Sequence, residues 1–231
     1  MTAAQPEIRN SQVVRSKISL FGRRLGYTAY RFWNHPQFPR VYREYIYQSY
    51  SIIRASVPLM QAAEQACQLP AHSADAALQG FAQYLRKHIP EETGHHEWIL
   101  NDGEAMGMNR ETIRRRLPKE SATQLVGVQY YWINHFSPIA LAGYIAAMEG
   151  NPPPAEFFEK VAARNKLPFD CISSFLYHAR IDPQHTRDLD AALDSLPLTR
   201  AQIELIGISS LRTIRMMTGI MEDIMVPGAS A

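Results

Sequence analysis

The sequence predicts an all-α protein, a compact bundle of seven or eight helices. Long segments carry apolar residues at i, i+3, i+4 and i+7, the period of a helix with one buried face. Proline and glycine punctuate the chain at roughly helix-length intervals. No segment alternates apolar and polar residues between helical stretches, so a parallel sheet or a βαβ unit is disfavoured. With 231 residues, 46% of them hydrophobic, the chain is large enough for one sizeable core.

Residues 1–17 (MTAAQPEIRNSQVVRSK) lack the apolar centre of a signal peptide and are expected to be a flexible arm. That leaves residues 18–231 as a single helical domain. An aromatic-rich helix, SLFGRRLGYTAYRFWNHPQF, is punctuated by Pro36. A long helix follows over about 39–67, with Tyr42, Tyr45, Ile46, Tyr50, Ile53 and Val57 at helical spacing and a kink at Pro58. Ser73 is the cap expected for a helix from about Ala74 to Lys87, which continues past Pro90 into EETGHHEWILNDGEAMG. Asn109 caps a short helix that Pro118 stops, and Ser121 or Thr123 opens the next. PIALAGYIAAMEG runs to Gly150, and the triple proline at 152–154 is a turn before another helix. FDCISSFLYHARIDPQHTRDLDAALDSLP is helical despite Pro183, and LTRAQIELIGISSLRTIRMMTGIMEDIM closes the bundle.

Composition excludes several classes. Lys and Arg total 24 against 22 Asp and Glu, a formal charge of +2. The run Arg114–Arg116 is too short for a nucleic-acid surface and suits a solvated helix face. Two cysteines, Cys67 and Cys171, make neither a disulfide framework nor a thiolate zinc site, which fits a cytoplasmic protein. No run of eighteen apolar residues is present, so no membrane span is expected.

Three segments concentrate the polar chemistry. His178, Asp182 and His185 stand at i, i+4 and i+7, on one helix face shared with Ile181 and, one turn earlier, Phe175. An unpaired buried carboxylate costs several kcal/mol. A divalent cation supplies the missing charge, a His–Asp–His hydrogen-bond network braces two helices, or the three residues form an acid–base cluster at the surface. Histidine and carboxylate donors suit iron, manganese or zinc. His88, Glu92 and His95 share a second helical face, from which Glu91 and His96 point away. Glu149 ends an apolar helix at its C-terminus, where the helix dipole disfavours a negative charge and a positive partner is expected. Only one Glu-x-x-His pair, Glu92 and His95, is present, which argues against a ferritin-like site.

The motifs WNHP, EETGHHEWILNDGEAMG, PIALAGYIAAMEG and FLYHARIDPQHTRDLDAAL make the chain resemble the heme-oxygenase-like superfamily over about residues 30–220. The nearest branches are the non-heme di-iron oxidases and oxygenases, with PQQ synthesis protein C and the chlamydial death-domain-associated proteins. The resemblance implies metal ligands at His95, Glu149, His178, Asp182 and His185. Seven residues before His95 the di-iron branch has a glutamate, and this sequence has His88, which completes the expected set. The substitution removes an anionic, bridging group; Glu92, one turn away, is its expected replacement, and the site holds two irons, one or none.

The implied activity is that of a non-heme iron oxidoreductase using dioxygen on a small organic acid or amine, with an external electron donor and a homodimer as further expectations. Tyr144 and Tyr131 are the candidate catalytic residues, with Tyr45, Tyr130 and Trp132 as further pocket-lining candidates. A metal-free acid–base oxidase of the PQQ synthesis protein C type is the alternative, and a non-catalytic helical binding protein the third reading. Heme binding would fall to His35, and a cysteine nucleophile would lack a histidine partner in sequence. The methionines of RTIRMMTGIMEDIM are expected in the core, with a subunit contact as the alternative.

Overall fold

The structure, a computed structural model, describes residues 8–150 and 152–226. Among these residues it is entirely helical: α1 (Asn10–Trp33), α2 (Phe38–Ile53), α3 (Ser56–Cys67), α4 (Ala76–Glu92), α5 (His95–Ala105), α6 (Arg110–Arg115), α7 (Glu120–His135), α8 (Leu141–Met148), α9 (Ala155–Arg164), α10 (Ser173–Ser195) and α11 (Arg200–Met225). Short 3₁₀ turns occupy Pro70–His72, Pro138–Ala140 and Phe169–Ile172. No helix among the described residues is long and apolar enough to cross a membrane.

The eleven α-helices among the described residues exceed the seven or eight expected, in part because two long segments divide. The 39–67 segment breaks at Arg54–Ala55, four residues before Pro58. Pro58 has no N–H for the Arg54 carbonyl and its ring would crowd it, so the helix restarts with Pro58 in its first turn. The second break, at Thr93–Gly94, separates α4 from α5. Gly94 has φ 96°, a left-handed conformation that glycine adopts without steric cost.

The flexible arm expected for 1–17 is corrected over 10–17. These residues are the first turns of α1, and residues 1–7 lie outside the described residues. The helix end is tied to α10: Asp194 accepts from the Ser11 N–H (2.8 Å) and hydroxyl (2.9 Å), and Arg15 pairs with Asp190 at 2.8 Å. Asp75, rather than Ser73, caps α4 by accepting from the N–H groups of Ala77 and Leu78. Asn109 caps α6 as expected, whereas α7 opens at Glu120 without a side-chain cap. Pro90 and Pro183 both lie inside helices that continue past them.

α11 is the central packing surface, with α1 and α8 laid along it. Gly143 of α8 permits the contact, since a Cβ there would stand 2.1 Å from the Ile206 carbonyl oxygen. An aromatic cluster of Trp33, Phe38, Tyr42, Phe158 and Phe175 locks the α1–α2 corner to α9 and α10. The WNHP motif is therefore mainly structural. Trp33 is buried, and His35 accepts the Gln37 N–H through Nδ1 (3.1 Å) at the helix end.

Arg114 and Arg115 pair with Glu111, while Arg116 pairs with Glu44 and lies over the Tyr47 ring. The basic run is thus engaged within the protein. Both cysteines are free and buried, and burial pushes the Cys67 thiol up to about 12, so it supplies no thiolate.

Candidate metal centre

Four helices deliver carboxylates and imidazoles to one buried place. α4 brings His88, Glu91 and Glu92; α5 begins with His95; Glu149 follows the last turn of α8; α10 carries His178, Asp182 and His185. Ligand atoms of His88, Glu92, Glu149 and His185 all lie within 4.8 Å of one another. Donors on opposite sides of one transition-metal ion stand about 4 Å apart, given bond lengths near 2.1 Å. An inward shift of these side chains would let the four enclose an ion.

The pairing within this cluster is incomplete. His88 Nε2 lies 3.2 Å from Glu149 Oε1 and its Nδ1 3.2 Å from Glu91 Oε2, so this imidazole joins two carboxylates. It is the positive partner expected for Glu149 beside the C-terminus of α8. Burial works against a charge on His88, but Glu149, Glu91 and Glu92 outweigh it and lift its pKa to about 9. Burial raises the Glu149 carboxyl, with the neighbouring Glu92 adding to the rise and His88 and His185 opposing it. His185 Nδ1 stands 3.4 Å from Glu92 Oε1, 3.7 Å from Glu149 Oε2 and 3.9 Å from Asp182 Oδ1, and hydrogen-bonds to none of them.

The neighbouring half is more depleted still. His95 Nδ1 is 3.1 Å from Glu92 Oε2, an ion-pair distance outside hydrogen-bond geometry. Glu92 is held below its ordinary pKa because the nearby histidines, His95 foremost, outweigh the burial that would raise it. Asp182 is 5% exposed; burial, then Glu149 and Glu92, push its carboxyl up to about 8. Its Oδ1 has no hydrogen-bond partner. His178 Nδ1 lies 2.7 Å from the Ser174 carbonyl, and burial lowers its pKa. A carbonyl only accepts, so Nδ1 carries the hydrogen and Nε2 is left with a free lone pair. The rings of His95 and His178 stand at 89° with centroids 5.1 Å apart.

Five buried donor atoms therefore lack a hydrogen bond in one place: Glu92 Oε1, His95 Nδ1, Glu149 Oε2, Asp182 Oδ1 and His185 Nδ1. Buried polar atoms are nearly always satisfied, and a group of orphans indicates an absent ion or water. A braced His–Asp–His network is not what the fold builds. Nitrogen and carboxylate oxygen donors fit a first-row divalent metal.

All six metal-ligand candidates from the sequence, His88, His95, Glu149, His178, Asp182 and His185, reach this region, and Glu92 joins them. Three expectations need correction. His95 reaches the site across the Gly94 turn and not along one continuous helix face. Glu91, expected to point elsewhere, contacts His88 and lies 3.9 Å from His185 Nε2. Tyr131 is 57% exposed on α7, against Trp132 and His135, so the fold offers it no catalytic position. Two aromatic neighbours gave no sequence signal: Tyr84 stacks on His88, and Trp98 on His95 with centroids 3.9 Å apart.

A cavity of about 210 Å³ opens beside the cluster. Glu92, Glu149, His178 and Asp182 form its polar end, and Ile53, Phe175, Met217 and Met221 are among its apolar walls. Tyr45 and Tyr144 line it, whereas Tyr130, Tyr131 and Trp132 do not. The buried Tyr144 hydroxyl makes no hydrogen bond of normal geometry, with the Ser56 side chain as its polar neighbour. Met217 and Met221 place part of the methionine stripe of α11 on the cavity wall. No lysine or arginine among the described residues lines the cavity.

Solved structures with the same architecture include a heme-oxygenase-like domain of unknown function from Shewanella denitrificans, with TM-score 0.77 and 16% identity over 94% of this chain and 92% of that one. A TenA homologue from Pseudomonas syringae pv. tomato matches with TM-score 0.70 and 11% identity over 96% and 97% of the two chains. A CADD-like protein of unknown function from Nostoc punctiforme gives TM-score 0.69 and 16% identity over 94% and 96%. No curated protein matches the chain. The structural likenesses establish the heme-oxygenase-like fold, and the sequence from residue 44 to 216 matches a family described as iron-containing redox enzymes, to which the chain belongs.

Proposed function

We propose that this protein is a non-heme iron oxidoreductase that uses dioxygen on a small, largely apolar molecule bearing one polar head. The observation that carries the reading is the group of unsatisfied buried donors beside an apolar cavity. His88, Glu92, Glu149 and His185 would hold one ion. His95, His178 and Asp182, with Glu92 shared, would hold a second. Bound ferrous iron supplies the one-electron chemistry toward dioxygen that histidine and carboxylate side chains lack.

The chain's own residues do the rest. The carboxylates balance the cationic charge, and His178, neutral with its Nε2 lone pair free, adds a donor without adding charge. The apolar walls exclude water from the polar end, which strengthens every electrostatic contact there. The polar head of the substrate lies toward Glu92, His178 and Asp182, and the Tyr144 hydroxyl serves as its hydrogen-bonding partner. A second charged group would be stranded among isoleucines and methionines with no lysine or arginine to meet it, which disfavours sugars and phosphates. A dry cavity of 150 Å³ holds benzene. About 210 Å³ therefore suits a substituted ring or a short chain of similar bulk carrying an acid or amine. An external reductant supplies any electrons the substrate does not.

One observation favours a second reading. His88 is already paired with Glu91 and Glu149, so that half of the site can move protons without a metal, as a metal-free acid–base oxidase would. Anaerobic loading with ferrous ion, followed by metal analysis and oxygen-consumption measurements, separates the two. One or two irons per chain with oxygen uptake is the expected result. A protein that binds no iron under these conditions would leave the acid–base reading standing and remove ours.

A further inference from the structure

We infer that Asp102 is a positioning residue for His178: it pins the first turn of α10 and thereby fixes the carbonyl that sets the tautomer of the imidazole. Asp102, on α5, is fully buried at 0% exposure. Its Oδ1 accepts from the Ser173 hydroxyl (2.7 Å) and the Ser174 N–H (3.1 Å), and its Oδ2 accepts from the Ser174 hydroxyl. The Tyr42 hydroxyl donates to the Cys171 carbonyl at 2.9 Å and lies 3.4 Å from Oδ2, closing the network on its far side.

These bonds answer a local deficit. α10 has Ile172 at its N-cap position and no side-chain cap of its own. The first N–H groups of a helix need acceptors, and a negative charge there also meets the positive end of the dipole. Asp102 provides both from a different helix.

The consequence reaches the metal centre within one turn. Ser174, held at both its N–H and its hydroxyl, presents its carbonyl to His178 Nδ1 at 2.7 Å. That contact requires the hydrogen on Nδ1 and leaves Nε2 unprotonated. Outer partners of this kind orient metal-binding histidines, and their loss costs about ten- to a hundredfold in affinity. α5 also begins with His95, two turns before Asp102, so one rigid helix sets both the His95 position and the anchor of the helix bearing His178. The assignment of a role to His178 rests on the iron reading; the tautomer does not.

The test is made on the full-length, metal-free protein. Long-range proton–nitrogen NMR of the imidazoles is expected to show His178 protonated at Nδ1 and bare at Nε2. In Asp102→Asn the ring should become a tautomer mixture, and the affinity for cobalt(II), used as the probe metal, should fall about tenfold with the circular dichroism unchanged. A wild-type ring protonated at Nε2 overturns the inference, as does a folded Asp102→Asn with unaltered tautomer and cobalt affinity. Should that variant fail to fold, Ser173→Ala removes a single bond to the same carboxylate. It is expected to weaken cobalt binding about threefold, the scale of one hydrogen bond, and to broaden the tautomer signal. No change in either readout overturns the inference. Because the tautomer is read without metal, a protein that never takes up iron still decides it.

Discussion

Asp102 and Asp182 are both carboxylates almost cut off from water, at 0% and 5% exposure, on helices that touch each other. Asp102 is surrounded by the hydroxyls of Ser173 and Ser174 and a backbone N–H. Asp182 has an oxygen with no hydrogen bond and two further carboxylates, Glu149 and Glu92, acting on it. Burial raises both groups. The serine donors oppose that rise at Asp102, leaving it at about 6, whereas at Asp182 the carboxylates add to it and the group reaches about 8. The same fold thus solves the problem of a buried aspartate completely at one place and leaves it open at another. The open one lies beside the orphaned atoms of Glu92, His95, Glu149 and His185. The contrast argues that the deficit at Asp182 is a place for a cation and not a general looseness of the fold.

The largest effect expected from this contrast is the loss of ferrous binding in Asp182→Ala or His178→Ala with helical content preserved, read by metal analysis and circular dichroism. Either variant binding iron in full would dissolve the distinction.

The next concerns pH. An unfolded aspartate releases its proton near 4, whereas folded Asp182 keeps its proton up to about 8, so the metal-free protein should lose stability as pH rises between those values. His88, raised to about 9, acts in the same sense above its ordinary value: its contribution is full below about 6.5 and fades as pH passes 9. Each unit of pKa difference corresponds to at most about 1.4 kcal/mol. Urea denaturation in EDTA at pH 5 and pH 8 should show the fall, and Asp182→Asn should flatten it; equal slopes in the two proteins would count against the open-site view.

His88→Glu should tighten metal binding about tenfold, or about 1.4 kcal/mol, while destabilising the metal-free protein, because a carboxylate would replace the imidazole between Glu91 and Glu149. Titration with ferrous ion and a melting curve in EDTA together test both halves of that statement. The smallest effect separates the two tyrosines singled out in the sequence. Tyr144→Phe should raise KM about fivefold, the scale of one hydrogen bond, whereas Tyr131→Phe should leave turnover unchanged.

What the sequence disclosed follows from how far each signal travels along the chain. His178, Asp182 and His185 were legible because one helix fixes their common face, and Pro183 does not interrupt it. His95 belongs to the site for a different reason than its spacing suggested, since Gly94 turns the chain before it. Glu91 was missed because helical phase sends it away from Glu92, yet at the end of α4 its side chain reaches back to His88. The Tyr130–Tyr131–Trp132 run faces successive directions around α7, and no pattern in it told cavity from solvent. Asp102 was invisible altogether, for its serine partners lie more than seventy residues away and only the packing of α5 on α10 joins them.

Met60, Met148, Met217 and Met221 all face the cavity next to the candidate iron ligands. Thioethers are readily converted to sulfoxides, and each added oxygen would turn a yielding apolar wall into a polar, bulkier one. A protein of this build would carry its own wear marks: oxidant escaping during turnover would be recorded first on these four side chains and would progressively close the chamber to the molecules it admits.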